Sequence, residues 1–163
     1  MKKLNFGCGV DIKKNWDNID IHKNPKLTKS FDFNKFPYPI KDNSYDYIYV
    51  KHVLEHLWEP EKVLRELWRI CKPDSIIEIL VPHCSNSGAY DGFQHIRYFN
   101  EHSFKIFVYD SRRIENKEKF KILKLYSEPS KIGKFFPGNL RSFLSLFING
   151  FQKRICVKLK VTK

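Results

Sequence analysis

The 163-residue sequence contains no run of eighteen apolar residues, and its four cysteines, Cys8, Cys71, Cys84 and Cys156, include no C-x-x-C pair. The first absence argues against a hydrophobic helix spanning a membrane. The second argues against a zinc site or a disulfide framework and for reduced, mostly buried thiols. No secretory leader is expected, because a strand-like apolar segment begins directly after Met1, Lys2 and Lys3. The cytoplasm is therefore the expected compartment, with peripheral attachment to a membrane as a variant. Disorder is excluded by a hydrophobic content of 42% and an aromatic content of 15%. One domain over residues 1–163 is expected.

Acidic residues are scarce at one end only. Residues 1–111 carry 16 Lys and Arg against 15 Asp and Glu, whereas residues 112–163 carry 14 against 3. This divides the domain into a balanced core and a basic C-terminal region, and it points to an anionic partner for that region. A glycan, a lipid surface and nucleic acid all have that charge. Nucleic acid is the least favoured, because the tail's aromatics cluster with Leu and Ile instead of interleaving with Lys and Arg as a stacking platform does. The apolar positions Leu140, Phe143, Leu144, Phe147 and Ile148 recur at helical spacing, with Lys131, Lys134, Arg141, Lys153 and Arg154 around them. Packing of this face on a sheet is the simpler expectation, and docking on an anionic bilayer is the alternative.

A third shortage lies between the first two strands. Leu4-Asn5-Phe6-Gly7-Cys8-Gly9 reads as a buried strand breaking into a glycine turn, and Asp17-Asn18-Ile19-Asp20-Ile21 reads as the next strand. Nucleotide-binding folds place their acid about twenty residues beyond the glycines, with a helix between. Here Asp20 stands eleven residues after Gly9, so the first helix must be abbreviated or lost.

The remaining elements follow in order. Ser30-Phe31-Asp32-Phe33 reads as a short third strand, a turn-rich stretch covers 36–44, and Tyr45-Asp46-Tyr47-Ile48-Tyr49-Val50 reads as a longer strand. Pro60 opens a helix with Val63, Leu64, Leu67 and Ile70 on one face. Residues 75–81 form an apolar strand fit for the middle of a parallel sheet. Asn100 is a plausible N-cap for another helix. Residues 120–126 and 155–161 alternate as two closing strands.

The motifs Leu4 to Gly9, Asn18 to Ile21 and Asn43 to Leu57, in that order and followed by a helix and a Pro82-His83 strand end, resemble the class I S-adenosylmethionine-dependent methyltransferases of the small, type 11-like family. The resemblance covers about residues 3–110. It implies an α/β Rossmann-like doubly wound sheet, mostly parallel, with a C-terminal antiparallel hairpin. It also implies S-adenosylmethionine as cofactor and methyl transfer to an acceptor that the motifs do not identify; the basic C-terminal region points to a glycan, lipid-linked or other small anionic one. Phe6, Gly7, Cys8 and Gly9 would border the cofactor, Asp20 and Ile21 its ribose, Asp32 and Phe33 its adenine, with His52 lining the pocket.

The loop after the fifth strand should face the acceptor, because ligands in open parallel sheets lie beyond the carboxyl ends of the strands. His83 and His95 on that loop are the candidate bases. No metal is expected, since the spacing of His83, Asp91 and His95 has no helix-borne pair of histidines behind it. A non-catalytic binding partner of the same fold and a basic RNA-binding module are the alternatives from other classes.

Overall fold

The computed structural model describes residues 1–110, 119–145 and 147–163; the expected division near residue 111 lies outside them. Seven strands form one sheet: β1 (Lys3–Phe6), β2 (Asp17–Asp20), β3 (Lys29–Ser30), β4 (Tyr45–Lys51), β5 (Cys71–Pro82), β6 (Lys119–Pro129) and β7 (Gln152–Thr162). Their spatial order is β3-β2-β1-β4-β5-β7-β6. The pairings from β3 to β5 are parallel, and β7 joins both β5 and β6 antiparallel. This is the expected Rossmann-like sheet, with its strand order reversing between β1 and β4.

Side chains alternate across a sheet, so each cross-strand row belongs to one face. One row runs through the paired residues Ile19, Phe6, Val50, Ile79, Val157 and Leu125. The first four are fully buried. Helix α1 (Pro60–Ile70) adds Val63, Leu64, Leu67 and Ile70 to the same cluster, and α2 (Glu101–Tyr109) adds Phe104. Burying each such side chain stabilises the fold by roughly 1.5–3 kcal/mol. The neighbouring row runs through Asn18, Asn5, Tyr49, Glu78, Lys158 and Lys124, and it is polar throughout.

The connections β1 to β2, β2 to β3 and β3 to β4 contain no helix. Where the first helix would lie, two buried asparagines hold the chain instead. Asn5 Nδ2 donates to Asp11 O at 2.7 Å and to Asn18 Oδ1 at 3.0 Å. Asn18 accepts from Lys13 N at 2.9 Å and donates to the carbonyls of Lys13 and Trp16. Trp16 then meets Tyr47 edge to face over this side of the sheet.

On the apolar face the missing helices are replaced by aromatics. Phe33 stacks on Phe6 with ring centres 4.0 Å apart, and Phe31, Phe36 and Tyr38 close around them. Arg69 fastens this segment to α1 by donating to the carbonyls of Tyr38 and Ile40 and to the carboxylates of Asp42 and Glu66.

Boundaries differ from the sequence reading for local reasons. β3 stops at Ser30 because Phe31 turns into the aromatic cluster. β5 begins at Cys71 and not at Ser75: the register shifts between Tyr45 and Tyr47, and this irregularity accommodates Pro73 and the left-handed Asp74. The Asn100 cap is present as a capping box with Ser103.

The apolar tail does not pack on the sheet. Helix α3 (Gly138–Leu144) is seven residues long with no buried residue, and Leu140, Phe143, Phe147 and Ile148 are exposed. β6 and β7 already pair directly, which leaves this segment as an outward excursion. Its base is fixed where a Cβ on Gly133 would stand 1.9 Å from the Phe151 carbonyl oxygen.

Candidate active site

β1 ends in the glycine turn. The amides of Gly7 and Cys8 both donate to Ile19 O, at 2.9 and 3.1 Å, and Gly9 N donates to Asp20 Oδ2 at 2.7 Å. The other Asp20 oxygen accepts from His22 N at 3.1 Å. Asp20 thus closes the turn while keeping further lone pairs for a ligand. Gly7 has φ +70°, and a Cβ there would lie 2.2 Å from Val53 Cγ2. Gly9 has φ +51°, and a Cβ there would meet nothing within 4 Å. The first glycine permits close packing and the second leaves open space above the strand end.

That space is a cleft of about 550 Å³ beyond the carboxyl ends of β1, β2 and β4. Gly7, Gly9, Asp20, Ile21, Asp32, Phe33 and His52 all border it, as the sequence predicts. Phe6 and Cys8 do not. Phe6 is fully buried and acts through its stack on Phe33. The Cys8 side chain turns inward, where burial raises the thiol's pKa. Asp32 Oδ1 accepts from Asn34 N at 2.9 Å, and Asn34 Oδ1 accepts from Trp58 N at 2.9 Å, so the second wall is tied to the third.

Sequence reasoning placed the loop after the fifth strand at the site but did not single out the wall residues Val53, His56, Leu57, Trp58, Phe93 and Ile96. Trp58 and Phe93 stand exposed at the cleft, while Leu57 and Val53 form its floor. Glu55 is the organising residue there. Its carbonyl accepts from the amides of Ile96 and Arg97, which holds the two loops together. Its Oε1 meets His52 Nδ1 at 3.0 Å. The signal was present as an acid inside the apolar stretch His52-Val53-Leu54-Glu55-His56-Leu57.

The structure separates the two candidate bases. His83 is buried and lines another hollow, beside Glu101 and Gln152. Its Nδ1 accepts from Ser85 N at 3.0 Å, so the neutral ring carries its proton on Nε2, 3.4 Å from Glu101 Oε2. With its lone pair engaged, His83 joins the end of β5 to α2 and does not address the cleft. Hydrogen bonds from His83 and Ser127 hold the Glu101 carboxyl down at about 2, against the cost of burying it.

His95 lies against the cleft wall. Its ring centre is 4.7 Å from that of His56, edge to face. His95 Nδ1 lies 3.0 Å from Ala89 O and His56 Nδ1 lies 3.1 Å from Gln94 O. Carbonyls only accept, so both rings donate through Nδ1, and neither Nε2 has a hydrogen-bond partner among the described residues.

Residues 4–79 match the family model of the methyltransferase domain, type 11. That stretch, a little under half of the chain, is similar to a methyltransferase domain. S-adenosylmethionine is the cofactor that goes with it. Solved structures agree in fold at low sequence identity. A putative methyltransferase from Bacillus halodurans superposes with a TM-score of 0.65 at 10% identity, over 99% of this chain and 93% of that one. A SAM-dependent methyltransferase from Archaeoglobus fulgidus gives 0.63 at 14%, over 98% and 85%. A putative sarcosine dimethylglycine methyltransferase from Galdieria sulphuraria gives 0.66 at 16%, over 99% and 77%. No curated protein matches the sequence. These likenesses show the fold and do not identify an acceptor.

Proposed function

We propose that the chain transfers a methyl group from S-adenosylmethionine to an acceptor carried at an anionic lipid surface. The observation that carries the cofactor part is the glycine turn closed on Asp20 beside an open cleft. Gly9 leaves room for the amino-acid end, Asp20 offers acceptors to ribose hydroxyls, and Asp32 with Phe33 offers an acceptor and an apolar wall to adenine. When bound, the cofactor supplies a methyl group already activated by its sulfonium. The residues of the chain align the acceptor and exclude water, for which Trp58 and Phe93 at the mouth are suited.

The C-terminal segment supports the second part. No Asp or Glu follows Glu128 in the sequence. Ile132, Phe135, Leu140, Phe143, Phe147 and Ile148 are all exposed, and Lys131, Lys134 and Lys153 are exposed beside them. Exposed apolar side chains with lysines beside them match the boundary between anionic headgroups and acyl chains, each cation adding about 1 kcal/mol. Among the described residues no helix is long and apolar enough to cross a membrane, so the contact is peripheral.

Methyl-labelled cofactor incubated with the chain and vesicles of anionic glycolipids tests the reading. Label should appear in the lipid-extractable product, and Asp20→Ala should lower it sharply at limiting cofactor. Cofactor binding without label transfer to any extract would leave the chain a non-catalytic binder. In a flotation assay the chain should rise with phosphatidylglycerol vesicles at low salt and not with phosphatidylcholine. Failure to float, with dimers in solution, would assign the patch to a second copy.

A further inference from the structure

Glu55 is only 1% exposed, and its Oε2 has no hydrogen-bond partner among the described residues. A buried carboxylate oxygen facing neither water nor a donor is costly, so such an atom marks a place for a cation. Two histidines stand beside this carboxylate. The ligand atoms offered by Glu55, His56 and His95 all lie within 4.8 Å of one another. The backbone carbonyls of Gln94 and Ala89 fix both imidazoles through Nδ1, which is how metal-binding histidines are oriented by their outer partners. His52 does the corresponding work for Glu55 by engaging Oε1 and leaving Oε2 free.

We propose that Glu55, His56 and His95 bind a divalent first-row transition cation at the wall of the cleft, and that its open positions take an oxygen of the methyl acceptor. Two imidazoles and one carboxylate suit such a cation better than magnesium or calcium, which prefer oxygen alone. Three protein ligands leave room for another molecule. A cation there would favour the deprotonated form of a bound hydroxyl, the task that a general base would otherwise perform. The sequence expectation of no metal weighed His83, Asp91 and His95 and not this set; His56 and His95 lie 39 residues apart, and the bonds from Ile96 and Arg97 to the Glu55 carbonyl bring the loops together. The role given to the acceptor rests on the methyl-transfer reading, whereas binding of the cation does not.

Titration of the whole chain with Co²⁺, followed by calorimetry and visible absorption, tests this directly. The expected result is one ion per chain without a sulfur-to-cobalt band, which separates this site from the four free cysteines. His95→Ala, in a loop, should weaken binding at least tenfold, and Glu55→Gln should do the same if it folds. Absence of Co²⁺ uptake, a sulfur-to-cobalt band, or unchanged affinity in His95→Ala would overturn the proposal. Cofactor affinity measured without Co²⁺ keeps failure of the methyl-transfer reading distinct from failure of this one.

Discussion

The two faces of the sheet are built on opposite principles. On one, Ile19, Phe6, Val50, Ile79 and Val157 form a continuous apolar row under α1, α2 and an aromatic cluster. On the other, Asn18, Asn5, Tyr49, Glu78 and Lys158 form a row held by hydrogen bonds and by the Lys158–Glu78 ion pair at 2.9 Å. A helix packed on a sheet needs an apolar face beneath it. Where the sequence has too few residues for a helix between β1 and β2, the strands beneath carry amides and tyrosines instead. The lost helix and the polar row are one adaptation, and the cleft survives because the glycine turn is tied to β2 directly.

The sharpest way to break this comparison is to truncate each row in turn. Ile79→Ala should destabilise the domain by about 2–5 kcal/mol, because it removes buried volume that the neighbours cannot refill. Lys158→Ala, on the polar face of the paired strand, should cost under about 1 kcal/mol, since the pair it breaks is partly exposed. Equal losses in urea melts would show that both faces carry core.

Asn18→Ala probes the substitute for the helix. It strands Asn5 Nδ2 and Lys13 N and should cost about 1–3 kcal/mol. A melt indistinguishable from wild type would mean that the loop over residues 10–16 is held by something else.

The link between β5 and α2 gives a pH-dependent effect. The Glu101 carboxyl titrates near 2 in the folded chain, below the ordinary 4.5. Its contribution is therefore fully present above pH 4.5 and is lost as pH falls toward 2. With its side chain 35% exposed, solvent screening reduces the contribution to about 1–2 kcal/mol. Glu101→Gln should flatten the stability profile in that window and lower stability at neutral pH. An unchanged acid profile would show that His83 does not hold Glu101.

The smallest expected stability effect lies in the tail. Phe143→Ser should change the melt by under about 0.5 kcal/mol, because the ring is 56% exposed. It should nevertheless weaken flotation with anionic vesicles. A stability loss of several kcal/mol would mean that the ring packs in a core after all.

The strands and the missing helix were legible because each depends on local pattern: glycines after an apolar run, alternation, and the short distance from Gly9 to Asp20; the mostly parallel sheet with its antiparallel closing pair followed from the family resemblance. Seven of the residues expected at the cofactor border the cleft. His83 was misjudged because its environment is set by Ser85 and by Glu101 on a separate helix, and proximity to a strand end does not reveal where a lone pair points. Glu55 was passed over because a buried acid is invisible until the loop at 93–97 closes over it. The tail's exposure could not be read either, since helical spacing of apolar residues is the same whether or not a partner surface exists.

The central claim is that the glycine turn and Asp20 form the seat of S-adenosylmethionine. Calorimetric titration of the wild-type chain and of Asp20→Ala with that cofactor tests it most directly. The account predicts one site per chain, weakened by about 1.5–3 kcal/mol in the variant, as for loss of a charge-assisted hydrogen bond. Equal affinity in the two proteins, or no binding to the wild type, would contradict it.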